Sequence, residues 1–188
     1  MRLFIAVDLN DTARAAIAAE QARLASALGE RRSSIRWVQP DRMHLTLVFL
    51  GEVSDAAGAG AVNSLGVPVD MAPFDMALQG FGVFPPHGAP RAVWVGVTTG
   101  GDTLLALQQE IARRVAAIGV AVESRPFQAH LTLGRWRESR SSDRRQVLAA
   151  STENVIARVR IAAATLYQSR ISSAGPSYTA LVHATLTR

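Results

Sequence analysis

The chain has 188 residues, 48% of them apolar, and no cysteine, so it can bury a core but carries neither a disulfide framework nor a thiolate metal site. Its formal charge is +5, carried by arginine alone because no lysine occurs, and its sequence pI is about 11.1. An arginine excess suits phosphate-bearing partners and equally suits a genome that spells its basic residues as arginine, so charge alone assigns no function. The apolar run after Met1 is too short for a signal-peptide core and is stopped by Asp8. No stretch is long enough to cross a bilayer. The expectation is a soluble, cytoplasmic monomer.

Residues 2–9 alternate into a strand. Asn10 and Asp11 then open a helix, and Ile17, Leu24 and Leu28 keep one face apolar until Gly29 stops it. Residues 35–38 read as a strand ended by Gln39 and Pro40, and residues 43–50 as another closed by Gly51. A weak Ala- and Gly-rich helix follows at 54–65, then strands at 74–83 and 91–98 around the turn Phe84–Pro90. The strongest helix is expected to be capped by Asp102, with Leu104, Leu107, Ile111, Val115 and Ile118 on one face and Gly119 at its end. A strand near 120–123, a strand from His130 to Trp136 and a short helix at 141–150 come next. Two closing strands are expected at 156–171 and 177–187, joined by a turn at 172–176. Strands punctuated by a few helices, without regular βαβ alternation, imply an α+β fold with antiparallel sheets. With no linker or low-complexity segment, residues 1–188 read as one bilobal domain.

One tetrapeptide occurs twice. His-Leu-Thr-Leu stands at His44–Leu47 and at His130–Leu133, 86 residues apart and close to half the chain. Each copy lies in an expected strand, so the chain reads as two similar lobes. Alternate strand residues share a face. His44 and Thr46 therefore point one way and Leu45 and Leu47 the other, and the second copy behaves alike. With the leucines buried under helices and the lobes related by a pseudo-twofold axis, the two His-Thr pairs would face each other across a cleft.

Two opposed imidazoles suit in-line displacement at phosphorus. One removes a proton from the attacking water and the other gives one to the leaving oxygen. Histidine serves both roles because its unperturbed pKa of about 6.5 leaves both protonation states populated near neutrality. The hydroxyls of Thr46 and Thr132 can donate to non-bridging phosphate oxygens, where charge builds up. Such a site requires neither metal nor cofactor. A single His-x-Thr is weak, being more often a satisfied histidine beside a β-former; the exact repeat makes the pattern informative. Which histidine is acid and which is base cannot be read from the residues.

These motifs, with Arg2–Val7, Arg36–Val38, His44–Gly51, Gly82–Pro85, Pro90–Val97, Arg125–Phe127, His130–Arg135, Leu166–Ser169 and Gly175–Tyr178, resemble the 2H phosphoesterase superfamily. Within it the chain is similar to RNA 2′,3′-cyclic phosphodiesterases, historically called 2′-5′ RNA ligases. The resemblance implies a bilobal α+β fold with a central cleft, and hydrolysis of a 2′,3′-cyclic phosphate at an RNA end to a 2′-phosphate. It implies that His130 activates water and His44 protonates the leaving 3′ oxygen, with reversible 2′-5′ joining as a secondary chemistry. It also implies substrate-phosphate contact by Arg135, which strict alternation would turn away from His130 unless Gly134 marks a bulge. Phe4 and Phe127 match aromatics that stack on a base, with core packing as the alternative for both. One departure is Ala129, where the family usually has proline.

Other residues carry less. Arg135, Arg137, Arg140, Arg144 and Arg145 form a cluster that either holds RNA phosphates or is a solvated face. Trp37 and Trp94 read as core, and His87 and His183 as incidental. Four scattered histidines show no zinc spacing, and no phosphate-cradling loop implies ATP. The competing functions are action on another cyclic or 2′-5′ linked nucleotide, and a catalytically idle RNA-binding module.

Overall fold

The computed structural model describes the backbone of residues 1–123, 125–172 and 175–188, and the side chains of the same residues apart from 31–33. The expected turn at 172–176 therefore lies partly outside the described residues.

Among the described residues, nine strands and four α-helices follow in the order β1 (Arg2–Asp8), α1 (Asp11–Ala27), β2 (Ile35–Trp37), β3 (His44–Glu52), α2 (Asp55–Leu65), β4 (Phe74–Phe84), β5 (Ala92–Thr99), α3 (Gly101–Ala117), β6 (His130–Trp136), α4 (Ser141–Ala149), β7 (Val155–Ile161), β8 (Ala163–Ser172) and β9 (Gly175–Thr185). Local chemistry sets the helix starts. The Asn10 side chain accepts from the Ala13 amide, and the Ser54 hydroxyl accepts from the Ala57 amide. For α3 the expected cap is corrected. Gly100, at φ 78°, takes the N-cap position, and Asp102 sits in the first turn, where its charge favours the helix N-terminus. Among the described residues 120–123 there is no strand, so β6 is reached through irregular chain. The long strand expected at 156–171 is two strands broken at Ala162, and they belong to different sheets.

The first sheet has the order β3-β1-β8-β9 and the second β2-β6-β5-β4-β7, all pairs antiparallel. With β2 set aside, the two orders correspond. A histidine-bearing strand (β3 or β6) pairs with the strand that precedes its helix (β1 or β5), and two further strands complete the sheet. The fold is α+β with two pseudo-symmetric lobes and a central cleft.

The helices are exchanged between the sheets. Helix α1 leaves β1 yet packs on β7 of the second sheet, where Arg23 lies over the Phe81 ring and Gln21 reaches the Leu133 carbonyl. Helices α2 and α3 pack on each other and on β9 and β3 of the first sheet. The face they cover is the leucine face. Leu45, Leu131 and Leu133 are 0% exposed and Leu47 is 4% exposed, and each such burial is worth about 1.5–3 kcal/mol. Among the described residues no helix is long and apolar enough to cross a membrane.

Candidate active site

Strands β3 and β6 lie in contact with each other at the junction of the sheets. They share one burial pattern: a half-buried histidine, a buried leucine, a half-buried threonine, two buried residues and an exposed one. The ladder slips in the same place in both. Ala6 faces Thr46 while Ile5 faces Val48, and Trp94 faces Thr132 while Val93 faces Gly134. Leu47 and Leu133 are thus the extra residues of two equivalent bulges. Two consecutive residues turn into the core, and the residue five beyond each histidine returns to the histidine face. That residue is Phe49 in β3 and Arg135 in β6, so the bulge considered at Gly134 does re-aim Arg135.

Each imidazole is held in the same way. His44 Nδ1 lies 2.8 Å from the Arg42 carbonyl oxygen, and His130 Nδ1 lies 2.7 Å from that of Gln128. A carbonyl only accepts, so Nδ1 carries the proton and donates, leaving Nε2 for chemistry. Aromatic rings fix the ring planes. His44 stacks on Phe4 at 4.8 Å and meets Tyr178 edge-on at 5.3 Å. His130 meets Phe84 edge-on at 4.9 Å and Trp94 at 6.1 Å.

The charges around the two rings differ. Burial pushes both pKa values below the ordinary imidazole value, and the carbonyl hydrogen bonds pull both back up. Beyond that, His44 feels the Asp8 carboxylate, which raises it, and the Arg14 guanidinium, which lowers it. His130 feels only the lowering effect of Arg135. Asp8 stands directly opposite His44 across β1 and β3, whereas the residue opposite His130 is Gly96.

Sequence reasoning missed Asp8 and its partners. The Tyr167 hydroxyl donates to Asp8 Oδ1 at 2.6 Å and the Thr165 hydroxyl donates to Oδ2 at 2.7 Å. With that proton committed, Thr165 accepts from His183 Nδ1 at 2.9 Å. Burial, and then the bond to Asp8, push the Tyr167 phenol well above its usual range. His183, read as incidental, is thereby part of a network on the His44 face. What brings them together is the pairing of β1 with β8 and of β8 with β9, which no local pattern announces. Arg14 was also missed. Its guanidinium donates to the carbonyls of Leu9, Pro40, Asp41 and Met43 at 3.1–3.3 Å, pinning the turn that leads into His44.

The remaining candidates divide. Among the described residues, the hydroxyls of Thr46 and Thr132 have no protein hydrogen-bond partner, and both stand on the histidine face. Phe4 is only 4% exposed and lies against His44 and Tyr167, which matches the packing alternative. The exposed aromatic of that face is Phe49, at 57%. Phe127 packs partly against the core and lines a shallow hollow with α3 residues such as Gln108 and Ala112. Ala129 packs against the core just before His130. Trp94, read as core, is half-buried and borders His130. The arginine cluster splits: Arg135 is on the histidine face, while Arg144 and Arg145 belong to α4, which packs on β4 in the helical layer. Among the described residues, no three His, Cys, Asp or Glu side chains gather as a metal-binding group.

The model of the family described as LigT like phosphoesterase matches twice, at residues 7–94 and 95–178, one match for each copy of the repeat. The RNA 2′,3′-cyclic phosphodiesterase of Archaeoglobus fulgidus is 36% identical over 135 residues, covering 72% of this chain and 72% of that protein. Its counterpart in Methanothermobacter thermautotrophicus is 31% identical over 181 residues, covering 95% of each. The structure of Escherichia coli LigT complexed with 3′-AMP superposes with a TM-score of 0.77 at 27% identity, covering 100% of this chain and 98% of that one.

Proposed function

Because the chain belongs to the LigT like phosphoesterase family, we propose that it hydrolyses 2′,3′-cyclic phosphate ends of RNA to 2′-phosphates, with His130 as general base and His44 as general acid. Water attacks phosphorus and gives its proton to His130 Nε2. The bond from phosphorus to O3′ breaks, and His44 Nε2–H protonates O3′. The product carries a 2′-phosphate and a 3′-hydroxyl. Thr46 and Thr132 donate to the non-bridging oxygens, and Arg135 supplies positive charge to the substrate phosphates. The chain provides its own acid and base, so no metal is needed for either proton. An RNA 5′-hydroxyl in place of water would run the same groups toward a 2′-5′ linkage. Residues 1–188 act as one unit, with each sheet supplying one histidine.

One observation carries this reading. Two equivalent strands in contact each hold an imidazole by Nδ1 on the carbonyl two residues back, which leaves Nε2 free on the same face as an unpaired threonine hydroxyl. The electrostatics support the direction. A carboxylate beside His44 favours the protonated acid, and a guanidinium near His130 favours the neutral base.

The test is hydrolysis of a 2′,3′-cyclic nucleotide in the presence of EDTA. His44→Ala and His130→Ala should each lower kcat by roughly a hundred- to ten-thousandfold. Full activity in either variant removes the mechanism. Tight RNA binding by the unaltered protein without turnover would instead favour an idle binding module.

A further inference from the structure

We infer that Arg36 and Arg135 together form a second phosphate subsite, which takes the phosphodiester one nucleotide inside the reacting RNA end. The inference rests on the cyclic phosphodiesterase reading and names its substrate class: an oligonucleotide end rather than a mononucleotide.

Arg36 in β2 lies directly opposite Arg135 in β6, and Arg135 is on the histidine face because of the bulge at Leu133. Cross-strand partners share a face, so Arg36 joins it as well. Ile35 and Trp37 turn the other way and cover Gly134, where a Cβ would meet Ile35 Cγ2 at 2.6 Å. Both arginines are exposed, and neither has a hydrogen-bond or ion-pair partner among the described residues.

Like charges directly opposite on neighbouring strands, with Cβ atoms about 4.5–5.5 Å apart, repel each other. A pair left without a carboxylate is placed to bind an anion, and the guanidinium fork matches phosphate oxygens. Position decides which phosphate. With the bulge discounted, Arg135 lies two strand positions beyond Thr132, about 7 Å away, and Arg36 lies one strand further out. That step is comparable to the spacing of successive phosphates in an extended strand. A 2′,3′-cyclic mononucleotide has no phosphate there, whereas an RNA end does. Among the described residues the first sheet has no equivalent pair, because β3 is its edge strand and the matching position holds Phe49.

The experiment compares uridine 2′,3′-cyclic monophosphate with a uridylate trimer ending in a 2′,3′-cyclic phosphate. Arg36→Gln should lower the trimer-to-monomer ratio of kcat/KM about tenfold and reduce the salt slope for the trimer by about one. Arg145→Gln, a charge loss on the helical layer, should leave that ratio unaltered. Binding of a trimer ending in a 2′-phosphate, set against uridine 2′-monophosphate, reports the same preference without turnover. If neither cyclic substrate is hydrolysed, the phosphodiesterase reading fails while the binding ratio still judges the subsite. An Arg36→Gln ratio equal to that of the unaltered protein, in turnover and in binding, overturns the subsite.

Discussion

Two histidines in near-identical local settings are made unlike by the charges beside them. The carbonyl clamp on Nδ1 is repeated, as are the flanking aromatic rings, so neither explains a division of labour. Asp8 does, because its carboxylate stands across from His44 and has only Gly96 as its counterpart. Its two oxygens are already held by Tyr167 and Thr165, which fixes the charge in place. Asp8→Asn keeps the shape and removes the charge. The charged and titratable groups remaining around His44 would be Arg14 from α1, Tyr167 from β8, and Tyr178 and His183 from β9. Loss of the carboxylate lowers the His44 pKa, and an acid must be protonated to act. The alkaline limb of the kcat/KM–pH profile should therefore move to lower pH, while the acid limb, set by His130, stays in place. A profile that falls uniformly at every pH would make Asp8 a structural residue only. Phe49 and Arg135 show the same divergence, since one position of the repeat holds an exposed ring in one lobe and a cation in the other.

At the scale of elements, the bulges at Leu47 and Leu133 decide which side chains reach the cleft. The packing beside the second bulge has little slack. A Cβ on Gly82 would lie 2.2 Å from the Trp94 ring that borders His130, and one on Gly134 would strike Ile35. Gly82→Ala and Gly134→Ala should each cost about 1–3 kcal/mol of stability by urea unfolding, and Gly82→Ala should also lower kcat by displacing Trp94. Gly101, whose nearest neighbour is Val97 Cγ1 at 4.0 Å, is the control. Gly101→Ala should stay within about 0.5 kcal/mol of the unaltered protein. Equal effects at all three positions would mean that the packing around Trp94 is not tight. The alternation rule places His44, Thr46, His130 and Thr132 correctly but fails beyond the threonines. The bulge depends on the partner strand, which a period-two pattern does not contain.

At the scale of the molecule, the first sheet is assembled from strands at both ends of the chain, β1 and β3 with β8 and β9. Helix α1 covers the other sheet, as α3 does in return. Neither lobe is a continuous stretch, and each depends on a helix contributed by the other. Unfolding should therefore be a single transition, coincident by tryptophan fluorescence and far-ultraviolet circular dichroism, with equal calorimetric and van't Hoff enthalpies. Two separated transitions would show that the lobes are independent. The exchange of helices also explains why the stretch 156–171, legible as extended chain, gave no sign of its division. Ala162 is where the chain crosses from the second sheet to the first, and propensity on either side of it is the same.

The sequence by itself determined the class of fold, most of the elements and the four residues of the repeated motif. Those features rest on short-range periodicity and on an exact internal match. The tertiary structure alone decided that Asp8, Tyr167, Thr165 and His183 stand on the face of His44, that Arg36 joins Arg135, and that Phe4 is packed while Phe49 is exposed. Each of these depends on which strands pair and in what register, and pairing between distant segments is settled by the packing of the whole chain.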